Sequence, residues 1–334
     1  MCGIVAAAAQ REVSGILLEG LRRLEYRGYD SAGMALIDAG QALQLHKHAG
    51  KVKNLEDANA RHPILGHRGV AHTRWATHGE PTSANAHPHL SGERVALVHN
   101  GIIENHATLR NALKAEGVVF QSETDTEVIV HLIHSSLTQG ETLFDAVRLT
   151  VAKLEGAYAI AVVDTSHDDE VVVAREGSPL VLGIGIGEMF AGSDTLALRQ
   201  VTDTFVYLED GDLAILSAGG YQIFDKTGDS LERAETRLRD TDNQADRGEF
   251  EHYMLKEIYE QPDRLRDTLT FEALDDSLFG EAAAAIFDHV QAVQIIACGT
   301  SYHAGLVARH WLEGFAGIPC QVEVASEFRY RRSR

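Results

Sequence analysis

The apolar run at the start of the chain constrains the fold most strongly. Residues 3–8 read Gly-Ile-Val-Ala-Ala-Ala, and the polar residues 10–12 follow almost at once. A short apolar run bounded by polar residues is typical of a strand that is buried on both faces. We therefore expect a buried strand that begins at residue 3 and holds Cys2 beside a rigid element.

The composition excludes several classes of protein. The 334 residues include 30 Lys and Arg against 49 Asp and Glu, which gives a net charge of −19. This balance argues against nucleic-acid and membrane partners, because both favour a basic surface. Three cysteines cannot form a disulfide framework, which indicates a reducing compartment. No apolar run is long enough to cross a membrane and no signal peptide is recognised, so we expect a cytoplasmic protein.

Helices and strands alternate through the first two thirds of the chain. Helical patterns are predicted at 16–24, 105–116, 125–138 with Thr124 as a cap, and 142–154. The stretch 66–101 is rich in His, Gly, Pro and Thr and is interpreted as loops between short strands such as 95–98. Runs punctuated by Gly and Asp predict antiparallel strands at 157–163, 170–174, 180–184, 204–208 and 212–216.

The last third of the chain has a different pattern. The stretch 237–250 lacks apolar periodicity, and we draw a linker at 241–251 between domains at 2–240 and 252–334. After a helix at 252–268 and more helix to about 290, a strand at 293–298, a helix and a strand at 320–325 follow. This order is typical of a parallel sheet. Two strands are too few for such a sheet, so we expect the second domain to be incomplete at residue 334.

Cys2 is the strongest candidate for a nucleophile. Removal of the initiator methionine would leave Cys2 with a free α-amine beside its own thiol. An α-amine has a pKa of roughly 7.7–8.0 and can therefore act as a general base near neutral pH. A thiol paired with such a base is an activated nucleophile. The alternative is that a cysteine stands second in the chain by accident.

Three further segments carry residues that could act with Cys2. Arg74, in the segment 72–79, suits a carboxylate, although an arginine in a surface ion pair and a tryptophan in the core are the more ordinary interpretation of this segment alone. Asp125 could pair with an ammonium group, while Thr124 and Glu127 also fit a helix capping box. Arg74 and Asp125 together would recognise the two charged ends of an α-amino acid. The amide of Asn100 beside Gly101 could stabilise an oxyanion, or could form an Asn-Gly turn after a strand.

Two other patterns were weighed as binding sites. Eight histidines lie between His62 and His106, but their spacing matches no zinc signature, so we expect no metal. The segment from Cys298 to Ser301 lies between a strand and a helix, where backbone N–H groups and hydroxyls suit a phosphate. It lacks the lysine of a nucleotide-binding P-loop, and a plain helix cap is an alternative.

Taken together and in this order, the segments resemble a known family. The first domain resembles the class II glutamine amidotransferases, which have an N-terminal nucleophile. The two domains together resemble one family of these enzymes, the glutamine–fructose-6-phosphate aminotransferases. The segments of the first domain are MCGIVA, LRRLEYRGYDSAG (21–33), HTRWATHGEP (72–81), NAHPH (85–89), HNGIIEN (99–105) and SETDTE (122–127). Those of the second domain are HYMLKEIYEQP (252–262), ACGTSY (297–302) and EVASEFRYR (323–331).

The resemblance implies a fold. We expect an α+β protein whose first domain is the four-layer αββα sandwich of the N-terminal-nucleophile hydrolases. An incomplete α/β domain with a parallel sheet, of the sugar isomerase (SIS) type, would follow.

The resemblance also implies roles for individual residues. Cys2 would attack L-glutamine, with Asn100 and Gly101 holding the oxyanion, and Arg74 and Asp125 would bind the substrate. Thr77 and His78 would lie on a loop over glutamine, and Trp75 would be the ammonia gate. Arg27 would lie near the nucleophile, and Thr300 and Ser301 would form part of a sugar-phosphate site.

The implied reaction needs no cofactor and no metal. The full-length enzyme, expected to be a homodimer, would pass ammonia to D-fructose 6-phosphate and make D-glucosamine 6-phosphate. Because the residues that open the sugar ring would lie beyond residue 334, this chain is expected to act as a glutaminase only. Two alternatives are a phosphoribosyl-pyrophosphate amidotransferase and a non-catalytic sugar-phosphate-binding module.

Overall fold

The computed structural model describes residues 2–76, 79–166, 170–238, 250, 252–268 and 283–328. The chain forms two compact units, Met1–Asp246 and Arg247–Arg334, and each is described by itself. The expected linker at 241–251 lies outside the described residues except for residue 250, as does most of the helix expected between 269 and 290.

The first unit is built from antiparallel strands and flanking helices. Its strands are β1 Gly3–Ala9, β2 Ser31–Ile37, β3 Leu43–Ala49, β4 Arg68–Arg74, β5 His89–Ser91, β6 Val95–Ile103, β7 Gly156–Asp164, β8 Val171–Glu176, β9 Val181–Ile184, β10 Glu188–Gly192, β11 Thr204–Tyr207, β12 Leu213–Ser217, β13 Gly220–Phe224, β14 Ser230–Leu231 and β15 Glu235–Arg237. Its helices are α1 Ser14–Leu24, α2 Val52–Arg61, α3 His106–Ala115, α4 Glu127–Thr138 and α5 Leu143–Val151, with short 3₁₀ turns at Glu25–Arg27 and Thr195–Ala197.

These strands form two sheets that pack face to face. The first sheet has the order β15-β11-β9-β10-β1-β4-β2-β3, and the second has the order β14-β13-β12-β8-β7-β6-β5. Successive residues of β1 alternate between two cores, as strand geometry requires. Ile4 and Ala6 pack with Val98 of the second sheet, whereas Val5 packs with Leu17 of α1.

The outer face of the second sheet is covered by helices in the same way. Val128 and Ile129 of α4 and Leu143 of α5 pack against residues of β6, β7 and β8. The layers are therefore helices, sheet, sheet and helices, and the expected αββα sandwich is confirmed.

Two local predictions and one alternative interpretation were wrong. Residues 72–74 belong to strand β4 and not to a loop, because β4 pairs along its whole length with β1 and β2. Asn100 and Gly101 do not form a turn, because β6 continues to Ile103 and pairs with β7. Helix α4 begins at Glu127 after Thr126, so Thr124 does not cap it. Helix α2 and strands β2, β3, β10, β13, β14 and β15 were not expected at all.

The second unit has the predicted β-α-β order. Its elements are α6 Tyr253–Thr268, α7 Ala283–Phe287, β16 Val293–Ala297, α8 Gly299–Trp311 with a π-helical turn at Leu312–Ala316, β17 Cys320–Val324 and α9 Ala325–Phe328. Strands β16 and β17 pair in parallel, with Val293 opposite Cys320. Helix α8 packs on them at Gly305, where a side chain would collide with Ile295 and Val322. None of the described helices is long and apolar enough to span a membrane.

We expect the first unit to fold alone. A chain ending near residue 245 retains both sheets and all three apolar cores of the sandwich. It should therefore unfold in one cooperative transition, which thermal unfolding followed by circular dichroism would measure. The 334-residue chain is measured for comparison. It adds the second unit, whose strands β16 and β17 keep several partly exposed apolar residues. A shortened chain without a cooperative transition would contradict the prediction.

Candidate active site

Cys2 lies at the head of β1 and contacts the end of β4. The antiparallel register pairs Gly3 with Thr73, which brings Cys2 beside the next residues of β4 and its loop. The N–H of Trp75 donates to the Cys2 thiol at 3.2 Å, and the thiol lies 3.5 Å from the Trp75 carbonyl oxygen. A half-buried thiol is thus held by backbone atoms of Trp75, the residue that follows β4.

The environment of Cys2 keeps its thiol protonated. Burial raises the pKa of Cys2 above its ordinary value, and this effect outweighs the Trp75 N–H and the Arg74 charge, which lower the pKa. Because the thiolate is the nucleophilic form, attack by Cys2 at neutral pH requires a base that removes the proton. Among the predicted site residues, the α-amine of Cys2 itself would meet this requirement once Met1 is removed.

The pocket in front of Cys2 brings most of the predicted residues together. It is lined by Cys2, Arg74, Trp75, His87, His99, Gly101, Thr124, Asp125 and Thr126. Asn100 adjoins it, and its Nδ2 donates to the Cys2 carbonyl oxygen at 3.1 Å. Gly101 has φ of 137°, and a side chain there would collide with the Ala157 carbonyl group, so glycine is required.

Arg74 closes one side of this pocket. The residue is buried at the end of β4, and its guanidinium donates to the carbonyl oxygens of Gly79 at 3.3 Å and Glu80 at 3.2 Å. Burial lowers the pKa of Arg74, whereas Cys2, Asp30 and Asp125 act to raise it. Arg74 therefore places a positive charge at the pocket and binds the backbone of Gly79 and Glu80 beside it.

Asp125 closes another side, on a loop that is anchored at several points. Its Oδ2 accepts the N–H of Ile103 at 2.8 Å. Arg110 donates to the carbonyl oxygens of Ser122 and Thr124. Glu127 accepts the N–H groups of Gln121 and Ser122, each at 2.7 Å. Glu127 thus reaches back past Thr124, and the capping-box interpretation was wrong.

Four buried histidines surround the pocket. They are His72, His87, His89 and His99, and burial lowers the pKa of each, so all four are neutral at physiological pH. Within the described ranges, no group of His, Cys, Asp and Glu side chains has the geometry of a metal site. The charges at the pocket are therefore carried by Arg74 and Asp125, a pair that suits the carboxylate and the ammonium group of an α-amino acid.

Other predicted residues lie at the rim of the pocket or away from it. Trp75 is exposed and contacts Tyr29 edge to face, with ring centroids 5.8 Å apart. Arg27 forms a 2.6 Å ion pair with Asp194 and lines a separate cavity. Thr77 and His78 lie outside the described residues.

The two residues of the expected sugar-phosphate site lie in the second unit. Thr300 and Ser301 are exposed in the first turn of α8, not in a loop before it. The C-terminal end of β16 therefore leads directly into the N-terminus of α8.

Sequence reasoning missed several residues that build the site. Thr124 and Thr126 line the pocket, and Arg110 and Glu127 anchor its loop. Arg110 carried no motif, and the other three lay in the recognised segment 122–127 but received no role at the site. His72 was part of a recognised segment but received no role. Because its contacts come from another sheet, only the folded structure reveals them.

Comparisons with known proteins give matches to both units. The family model of a glutamine amidotransferase domain matches residues 72–200, and that of a SIS domain matches residues 286–333. The chain is 55% identical to the glutamine–fructose-6-phosphate aminotransferase (isomerizing) of Pseudomonas putida over 99% of its length, and 54% identical to that of Idiomarina loihiensis over 100%. In both cases it spans about 55% of the length of the curated relative.

Solved structures share the fold. A glutamine phosphoribosylpyrophosphate amidotransferase from Bacillus subtilis has a TM-score of 0.62 at 22% identity, covering 100% of this chain and 71% of that one. An allosteric regulatory enzyme of purine biosynthesis has a TM-score of 0.58 at 28% identity, covering 67% of this chain and 49% of that one. Because the Bacillus subtilis enzyme is only 22% identical, its similarity shows the fold alone.

The anchoring of the Asp125 loop predicts a pH-dependent stability. Burial alone would raise the pKa of Glu127, but the side chain of His131 and the groups of Gln121 and Ser122 lower it from 4.5 to about 2. A carboxylate with a lowered folded-state pKa stabilises the fold above its unfolded pKa, and this contribution disappears as the pH falls through the folded value.

Glu127→Gln should therefore reduce the free energy of unfolding by about 2–3 kcal/mol at pH 7, and by progressively less below pH 4.5. Urea unfolding at a series of pH values measures the difference. Glu123→Gln, on the same loop, serves as the matched control. A difference between wild type and Glu127→Gln that is constant with pH would contradict the argument.

Proposed function

Because the chain belongs with the glutamine–fructose-6-phosphate aminotransferases, to which it is homologous along almost its whole length, we propose that its first unit hydrolyses L-glutamine to L-glutamate and ammonia. The observation that carries this proposal is the pocket in front of Cys2. It combines a thiol, an arginine and an aspartate with the adjoining amide of Asn100. No cofactor or metal enters the reaction.

The first step forms a thioester. After removal of Met1, the α-amine of Cys2 takes the thiol proton, and Sγ attacks the side-chain amide carbon of glutamine. The electron pair of the C=O bond moves to oxygen, and the charge is stabilised by Asn100 Nδ2–H and the N–H of Gly101. When the C=O bond re-forms, the C–N bond breaks, and the leaving nitrogen takes the proton from the ammonium group. Ammonia and a γ-glutamyl thioester result.

The second step regenerates the thiol. The α-amine removes a proton from water, and the hydroxide attacks the thioester carbon through the same oxyanion site. Collapse of this intermediate breaks the C–S bond, the proton returns to sulfur, and glutamate leaves. One base thus serves both half-reactions, because the α-amine returns its proton at the end of each.

Substrate recognition follows from charge. The Arg74 guanidinium would bind the α-carboxylate of glutamine and Asp125 its α-ammonium group, with charge-assisted hydrogen bonds at both ends. We assign Thr77 and His78 to the loop over the substrate and Trp75 to the ammonia gate. Arg27 would act near the nucleophile through the ion pair with Asp194, which fixes the turn before β2.

In the longer protein, the second unit would use the ammonia that the first unit releases. There, ammonia would convert D-fructose 6-phosphate to D-glucosamine 6-phosphate, and Thr300 and Ser301 would form part of the sugar-phosphate site at the N-terminus of α8. The 334-residue chain would act as the glutaminase. The longer protein would be a homodimer, and the low cysteine content favours a cytoplasmic location.

The similarity of residues 286–333 to a SIS domain argues against the main alternative. A phosphoribosyl-pyrophosphate amidotransferase would use the same first domain but a phosphoribosyl-binding domain after it. A non-catalytic sugar-phosphate module would leave the residues around Cys2 without a role.

The direct test is glutamate release from glutamine by the purified chain. We expect steady turnover by the wild type and none by Cys2→Ala. No glucosamine 6-phosphate should form from fructose 6-phosphate in either case. Cys298→Ala and Cys320→Ala provide matched controls that should retain turnover. Equal glutamate release by wild type and Cys2→Ala would overturn the proposal.

A blocked α-amine should abolish this activity. General-base catalysis contributes about 10²–10⁴-fold, so a chain with a short N-terminal extension that is not removed should lose at least ~100-fold in kcat. Intact mass determines the N-terminus, and we expect the active chain to begin at Cys2. Full activity with Met1 retained would exclude the α-amine as the base.

Loss of either charged group should weaken glutamine binding. A hydrogen bond to a charged group is worth about 1.5–3 kcal/mol, so Arg74→Ala and Asp125→Asn should each raise the KM for glutamine by roughly 10–100-fold. Asp125→Asn keeps an acceptor for the Ile103 N–H, which limits structural damage. Arg22→Ala, an exposed change on α1, is the control. An unchanged KM in both site variants would mean that glutamine binds elsewhere.

A further inference from the structure

His72 is a buried histidine whose side chain contacts Asn100 directly. Its Nε2 lies 2.9 Å from Asn100 Oδ1 and 3.0 Å from the His99 carbonyl oxygen. A carbonyl oxygen can only accept, so the contact with His99 requires that Nε2 carries the proton, which can then also be donated to Asn100. The contact joins strand β4 of the first sheet to strand β6 of the second.

The surroundings of His72 hold it in this single protonation state. The ring is completely enclosed, and burial lowers the pKa of His72 to about 3, so that the imidazole is neutral and its other nitrogen carries no proton. That nitrogen, Nδ1, is buried without a hydrogen-bond partner in the structure. His87 stacks on the ring, with centroids 4.1 Å apart and planes 13° apart, and prevents it from turning.

A fixed Nε2–H donor determines which way the Asn100 amide points. Oδ1 must face His72, and the NH₂ group therefore faces the Cys2 carbonyl oxygen, 3.1 Å away. The flipped amide would bring NH₂ against the N–H of His72 and Oδ1 against the Cys2 carbonyl oxygen. Both contacts would then be repulsive.

We propose that His72 is a positioning residue for the glutaminase reaction: its Nε2–H holds the Asn100 amide with the donor side turned toward Cys2, where the oxyanion forms. The proposal rests on the function proposed above. It assigns His72 no contact with glutamine and no proton transfer. Its effect passes through Asn100 alone, which gives it a distinctive kinetic signature.

The first experiment replaces the donor but keeps an aromatic ring. His72→Phe can still stack on His87 but cannot donate to Asn100. Because loss of one oxyanion donor typically costs about 10²–10³ in kcat, we expect a 10- to 10³-fold lower kcat with a KM for glutamine within about 3-fold of wild type. His134→Phe, which removes a half-buried histidine bound to Ser91, is the matched control and should retain wild-type kinetics.

A double-mutant cycle separates positioning from general damage. If His72 acts only through Asn100, the variant His72→Phe/Asn100→Ala should be no slower than Asn100→Ala alone. His72→Gln, whose amide N–H can donate to Asn100, should recover part of the lost kcat. Additive losses in the double variant, or wild-type kcat in His72→Phe, would overturn the proposal.

A spectroscopic experiment tests the same inference without using activity. In protein labelled with ¹⁵N-histidine, the His72 ring should be the neutral Nε2–H form between pH 5 and 8, with a slowly exchanging proton. An Nδ1–H form or a charged ring would overturn the proposal, even if His72→Phe fails to fold. A wild type without glutaminase activity but with the expected His72 spectrum would contradict the proposed function instead.

Discussion

The pairing of β1 with both of its neighbours is the interaction on which the site depends. β1 lies between β4 and β10 in the first sheet, and each of its seven residues is buried. The register with β4 brings Cys2 to Trp75, and Ser193, after β10, exchanges hydrogen bonds with Ile4 at 3.1 Å. A chain end frays unless it is tied into a sheet. Here the residue before β1 is the proposed nucleophile, so the sheet holds a reactive group at a chain terminus in one position.

The second requirement is the close approach of the two sheets. Eight of the 22 buried residues in the core between them are alanines, and such small side chains let the facing strands approach. The site lies where β4 of one sheet meets β6 of the other. Cys2 and Arg74 come from the first sheet, whereas Asn100 and the loop bearing Asp125 belong to the second. The His72–Asn100 hydrogen bond crosses this boundary and links the orientation of the amide to the packing of the sheets.

The sequence predicts the elements whose pattern is local. The run 3–8, the helix after it and the β-α-β order near the end of the chain all have such patterns, and each is present in the structure. β3 was missed because only Leu43 and Leu45 pack on the core, while polar residues share the strand. β2 was missed because Ala, Met and Leu are also good helix formers.

The candidate site could be recognised from sequence only as a set of residue types. The suitability of Arg74 and Asp125 for opposite ends of an amino acid follows from their charges, and both line the same pocket. The protonation state of His72 does not follow from sequence, because it depends on two oxygen atoms of residues about 27 positions away. Nor could sequence reasoning foresee that Asn100 stands inside a strand, since Asn-Gly ordinarily indicates a turn.

The distribution of charge at the site explains why a terminal amine suits this chemistry. Burial lowers the pKa of the nearby histidines, so their imidazoles are weak bases for the thiol proton. Burial also raises the pKa of Cys2, and the Arg74 charge does not reverse this. Asp125 is bound to the Ile103 N–H and is assigned to the substrate ammonium. This is the reason for proposing the backbone amine of Cys2, which is not a buried side chain, as the base.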